Sequence, residues 1–161
     1  MIRLSRFSKP YGLKMIGLIV CIGLFALASG QTRPRAQTED QPIFRDYRGV
    51  QIDWLAEDVR KKLGSPADKG EEQDFYVFNE KETCQIFYDK ATSKVTAISV
   101  DFMNGAAQVI TPQQVFGEEI EAKADGSKSR LVRYPKAGFW VSYNKTAGDS
   151  PLITVTIQKM Q

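Results

Sequence analysis

Apolar and polar residues alternate in two stretches of this chain that read as copies of one another, residues 75–102 and 130–158. Ile86, Phe87, Tyr88, Asp89 and Lys90 answer Val141, Ser142, Tyr143, Asn144 and Lys145, and Ile98 and Val100 answer Val155 and Ile157. Period-two alternation is the signature of half-buried strands. It predicts strands over 75–78, 83–88 and 94–102 in the first copy, and over 138–143 and 152–158 in the second. Alternation also divides the faces, because successive side chains on a strand point to opposite sides. Cys84, Ile86 and Tyr88 share one side with Ile98, Val100 and Phe102, and with Phe139, Val141, Tyr143, Ile153, Val155 and Ile157. That side is the expected core. The other shows Gln85, Phe87, Ala97, Ser99, Asp101, Trp140, Ser142, Thr154 and Thr156, a polar set carrying two large aromatics.

A different period precedes the first copy. Leu55, Val59 and Leu63 fall four apart, which predicts a helix over 54–63 capped by Asp53 or a neighbour. Glu57 and Asp58 come early and Arg60, Lys61 and Lys62 late, as the helix dipole prefers. Gly64 ends the helix and Pro66 keeps it from resuming. In the second copy Thr111 caps, Pro112 takes the first helical position and Gly117 terminates, so that helix makes only one or two turns. Residues 118–124 alternate weakly, and Asp125-Gly126 signals a hairpin returning through 127–134. Glu119 and Glu121 face Lys128 and Arg130 across it.

The N-terminus is of another kind. Arg3, Arg6, Lys9 and Lys14 precede an uncharged apolar run over 15–28, and Ala26, Ala28 and Gly30 supply small residues at its exit. A basic start, a short apolar centre and a small-residue exit make a secretory signal over 1–30. The run is shorter than the roughly 17–25 residues of a membrane span, and Cys21 lies inside it rather than at its exit. The expected address is therefore periplasmic or secreted from a bacterium, with an inner-membrane anchor by an uncleaved signal as the alternative. Residues 31–42 are polar and read as a flexible leader. The remaining 43–161 form one domain of about 120 residues, enough for a hydrophobic core.

Removing the signal changes the charge. The whole chain carries 22 Lys+Arg and 19 Asp+Glu, a net +3. All four charges in the first thirty residues are basic, so the mature chain is close to neutral and shows no basic stripe for nucleic acid. Cys84 is its only cysteine and has no intrachain partner; its place in the alternation points to packing. With no His in the chain, Cys–His and Ser–His catalysis and the commonest metal ligand are missing. Glu118, Glu119 and Glu121 read as a solvated segment before a cation site or an acid/base pair.

Asp53, Trp54, Val59, Leu63-Gly64-Ser65-Pro66, then Tyr76 and the strand pair with Lys94, Val95 and Ile98, resemble the SmpA/OmlA-type repeat of small outer-membrane-assembly lipoproteins. Its tandem version forms the fold of β-lactamase-inhibitor-protein-like domains. The resemblance covers about 49–158 and implies an α+β domain of two repeats, about 49–104 and 105–161. Their strands would form one antiparallel sheet with helices on one face, the open face binding protein. The chain departs from the family in lacking a lipobox cysteine and in its short second helix.

The expected function is an exported, non-enzymatic binding module that needs no cofactor or metal and meets a cell-envelope protein through Phe87, Trp140, Gln85, Ser99, Asp101 and Ser142. A carboxylate-dependent enzyme on cell-wall or glycan material, and a carrier of an apolar ligand between sheet and helices, are the alternatives.

Overall fold

The computed structural model describes residues 41–161. The expected signal segment, and all but the end of the expected leader, lie outside them. Among the described residues, no helix is long and apolar enough to cross a membrane.

The first element is a small hairpin of β1 (Asp46–Tyr47) and β2 (Val50–Gln51). Arg48 and Gly49 form its loop, and both have positive φ, 51° and 83°. This is the geometry a two-residue hairpin needs to match the twist of its strands. Helix α1 (Ala56–Leu63) follows. The seven-stranded antiparallel sheet is built from β3 (Asp68–Lys69), β4 (Gln73–Asn79), β5 (Glu82–Tyr88), β6 (Val95–Phe102), β7 (Lys128–Tyr134), β8 (Phe139–Lys145) and β9 (Ile153–Lys159), with α2 (Pro112–Phe116) between β6 and β7. Its order is β3-β4-β5-β6-β9-β8-β7, so the two strand runs meet at β6 and β9.

The pairing is regular apart from register shifts at Val77/Asn79 in the β4–β5 ladder and at Phe87/Tyr88 in the β5–β6 ladder. Gln85 opposes Ser99 as Ser142 opposes Thr156, and Ile86 opposes Ile98 as Tyr143 opposes Val155. By pairing partner, Ile86 thus matches Tyr143, two residues along from the Val141 that the expected repeat sets against it.

The core lies on the expected side. Ile86, Ile98, Val100, Val141, Val155 and Ile157 are all at most 1% exposed. Burying each such side chain contributes about 1.5–3 kcal/mol. Ala56 and Val59 of α1 join the cluster around Ile86 and Val100, and Val115 and Phe116 of α2 join the cluster around Val141 and Ile157. Phe44, Ile52, Ile110 and Ile153 touch both clusters, so one apolar layer runs beneath the sheet. The domain is α+β, with both helices on that face.

Two local expectations are corrected. Helix α1 begins at Ala56 because the backbone before it is engaged elsewhere. Asp53 N–H donates to Val95, Val95 N–H to Trp54, and Ala56 N–H to Ser93. This short ladder holds Leu55 extended, with ψ 143°, and leaves it 46% exposed. The buried stripe is Ala56 and Val59, and no side chain caps the helix. Asp53 has φ 67° and accepts a bond from Lys159 Nζ. In the second case, residues 118–124 form no strand. The turn at Asp125-Gly126 is present, closed by Gly126 N–H to Lys123 and Lys123 N–H to Ser127. Ile120 instead packs against the core cluster of α2. By contrast, α2 has the expected ends. Thr111 and Gln114 form a reciprocal capping box, Pro112 follows Thr111, and Gly117 closes the helix at φ 76°.

Candidate binding face

On the side away from the helices, the register places side chains in three rows across six strands. The central row runs Phe75, Gln85, Ser99, Thr156, Ser142, Leu131. One flanking row runs Val77, Thr83, Asp101, Thr154, Asn144, Ser129, and the other Gln73, Phe87, Ala97, Gln158, Trp140, Arg133. All six residues singled out in the sequence therefore share this face. Gln85, Ser99 and Ser142 lie in the middle row. Phe87 and Trp140 share a flanking row, separated by Ala97 and Gln158, and Asp101 lies in the opposite one.

Phe87 and Trp140 are partly buried rather than fully exposed. The polar side chains between them bond along the face. Ser99 Oγ and Thr156 Oγ1 are 3.1 Å apart, and Thr154 Oγ1–H donates to the Asp101 carboxylate at 2.6 Å. Val77 and Leu131 are 51% and 45% exposed, and with Phe75 they add an apolar margin that the sequence reading left unassigned. The signal there was misleading. In β4 the charged Asp74 points inward while Phe75 and Val77 point outward, the reverse of what polarity alone indicates. Of the residues in these rows only Asp101 and Arg133 are charged, in a chain that is 25% charged.

Asp74 is fully buried on the core side, where Arg60 meets it with two bonds of 2.8 and 2.9 Å and the Tyr88 hydroxyl donates at 2.8 Å. Burial, and then the bond to Asp74, push the Tyr88 phenol far above its usual range. Glu82 has a parallel setting. It accepts from the Tyr47 hydroxyl, from Arg48 at 2.7 Å and from Asn79 at 3.1 Å, while Arg48 lies over the Phe78 ring at 4.0 Å. Burial alone would raise the Glu82 carboxyl, but the bonds from Tyr47 and Arg48 outweigh it and hold the group below its ordinary value. Asp74 pairs across from Ile86, four residues along β5 from Glu82, so the backbones of the two acidic residues lie about 14 Å apart. Each is engaged by its own Arg and Tyr.

Two of the remaining acidic candidates are also engaged. Glu118 pairs with Arg130 and Glu119 with Lys128 at 3.6 Å, so Glu118 rather than Glu121 takes the second pair. Cys84 is 1% exposed, and burial pushes its thiol far above the ordinary range.

The class defined by this fold and face is an α+β domain with a helix-covered core and an open sheet surface. No protein family, curated protein or solved structure matches the chain.

Proposed function

We propose that this is an exported, non-enzymatic module that binds a cell-envelope protein on its open sheet face. The observation that carries this reading is the composition of the face. Phe75, Val77, Phe87, Trp140 and Leu131 stand among hydroxyls and amides, and only Asp101 and Arg133 bring charge. Loss of charge together with gain of aromatics is what distinguishes the centre of a protein interface from ordinary surface. The basic start and short apolar run of residues 1–30 support the address.

We also read the two halves as copies. In support, Phe75, Gln85 and Ser99 hold the positions that Leu131, Ser142 and Thr156 hold in the other half, at a separation constant to within one residue. The helix, the Leu63-Gly64-Ser65-Pro66 turn and the strand hairpin after it support an arrangement of the SmpA/OmlA kind.

The test is site-specific photo-crosslinking in the producing cell. A crosslinker at Gln85, on the open face, is expected to give a discrete protein adduct, and one at Lys61, on α1, none. Phe87→Ser with Trp140→Ser should remove the adduct while circular dichroism and the melting midpoint stay those of a folded domain. An adduct indifferent to both substitutions would overturn the reading.

A further inference from the structure

We propose that the occupant of the open face is a second copy of this chain, docked face to face about a two-fold axis that runs along the β6–β9 joint. This rests on the binding role of that face and names its partner.

The first argument is geometric. An axis parallel to the strands, above the line between β6 and β9, carries β5 over the other copy's β8 and β4 over its β7, and keeps each row above itself. Phe87 then meets Trp140 of the other copy, and Trp140 meets Phe87, because both lie in one flanking row. In the central row Phe75 meets Leu131 on both sides. An in-plane axis across the strands does not do this: it exchanges the flanking rows and sets Phe87 over Thr83 and Trp140 over Asn144. An isologous interface requires this kind of self-complementarity. Packed sheets cross at about 30°, which preserves the contacts nearest the axis.

The second argument is charge. Under the same axis Asp101 meets Thr154 and Arg133 meets Gln73, so neither charge faces its like. A nearly neutral face has little electrostatic reason to reject its own copy.

The third is area. Six strands at about 4.8 Å and three rows at about 6.8 Å give a patch of roughly 30 by 20 Å, about 600 Å² before side-chain relief is counted. A stable complex covers about 800 Å² per partner, so the face is of the size a dimer uses.

Sedimentation of the exported protein, recovered from cells expressing the full sequence, tests the proposal. A dimer is expected, with Trp140→Arg raising its dissociation constant at least about thirtyfold, as loss of an interface anchor does, and leaving circular dichroism unchanged. Should that variant fail to fold, the pair Phe87→Asp and Trp140→Lys decides. Phe87→Asp alone is expected to dissociate the dimer, and the double variant to restore it, since the new charges meet across the axis. A dimer indifferent to these changes overturns the proposal. So does a monomer at about 100 µM, where even weak self-association populates a dimer. If that monomer still gives a Phe87-dependent adduct from Gln85 with another protein, self-docking fails and the binding face stands. If it gives none, both fail.

Discussion

Ser99 and Thr156 face each other at the middle of the sheet, their hydroxyl oxygens 3.1 Å apart, on β6 and β9, the two strands at which one half of the sheet joins the other. A cross-strand hydroxyl pair of this kind contributes about 0.2–1 kcal/mol. Ser99→Ala and Thr156→Ala should therefore each cost less than about 1 kcal/mol, and a double-mutant cycle by urea unfolding should return a coupling of about 0.5 kcal/mol. Strictly additive losses would show that the bond does not contribute.

The Arg60–Asp74 pair calls for a larger effect. Asp74 is fully buried and its carboxylate is held by Arg60 and Tyr88. Asp74→Ala leaves the guanidinium and a phenol without their acceptor, which should cost about 3–5 kcal/mol. Replacing both members, Arg60→Met with Asp74→Leu, should recover most of the loss, because no charge is then stranded. Equal destabilisation in the single and double variants by chemical denaturation would refute this.

Glu82 ties stability to pH. Its carboxyl lies below the ordinary value of 4.5 in the folded protein. A depressed carboxyl contributes stability that is fully present above its unfolded value and is lost as pH falls through the lower, folded one. The gap in unfolding free energy between the wild-type protein and Glu82→Gln should thus narrow as the pH is lowered from about 6 to about 3. Melting at a series of pH values measures it, and a gap that stays constant would dissociate the effect from Glu82.

Tyr76 makes the opposite prediction. Its hydroxyl is buried without a hydrogen-bond partner, and burial first, then the neighbouring Asp74, push the phenol up to about 12. Removing an unsatisfied polar atom relieves its desolvation, while the ring can keep its stacking on Phe78, 6.0 Å between centroids. Tyr76→Phe should be neutral or stabilising by about 1 kcal/mol. A clear fall in melting midpoint would mean that the hydroxyl has a water partner.

The strands that alternate cleanly were legible in the sequence. In β5, β6, β8 and β9 the central inward positions are apolar or a tyrosine, with Lys145 at the end of β8 an exception, and period two assigns both faces at once. What was hidden depends on partners distant in the chain. Asp74 points inward because Arg60, on α1, reaches it, and nothing local to β4 announces that. Leu55 looks like the first turn of a helix, yet its backbone pairs with the segment ending at Val95. The pairing positions of the two similar stretches were hidden for another reason. Tyr88 and Tyr143 resemble each other in sequence but stand in different rows, and only the ladders reveal this. The candidate face inherits these limits, with its centre readable and its margins at Phe75, Val77 and Leu131 not.

The joint between β6 and β9 also bears on how the chain reaches this fold. The β4–β5, β5–β6 and β7–β8 contacts close over short turns, which hairpins do in about 1–10 µs. Ala97 to Phe102, by contrast, must find Gln158 to Ile153 across at least fifty residues of intervening chain. Loop-closure entropy is spent before that ladder returns anything, so the joint is expected to form last. Until it forms, each half exposes a full-length edge strand, β6 or β9, to any other chain passing through the same compartment.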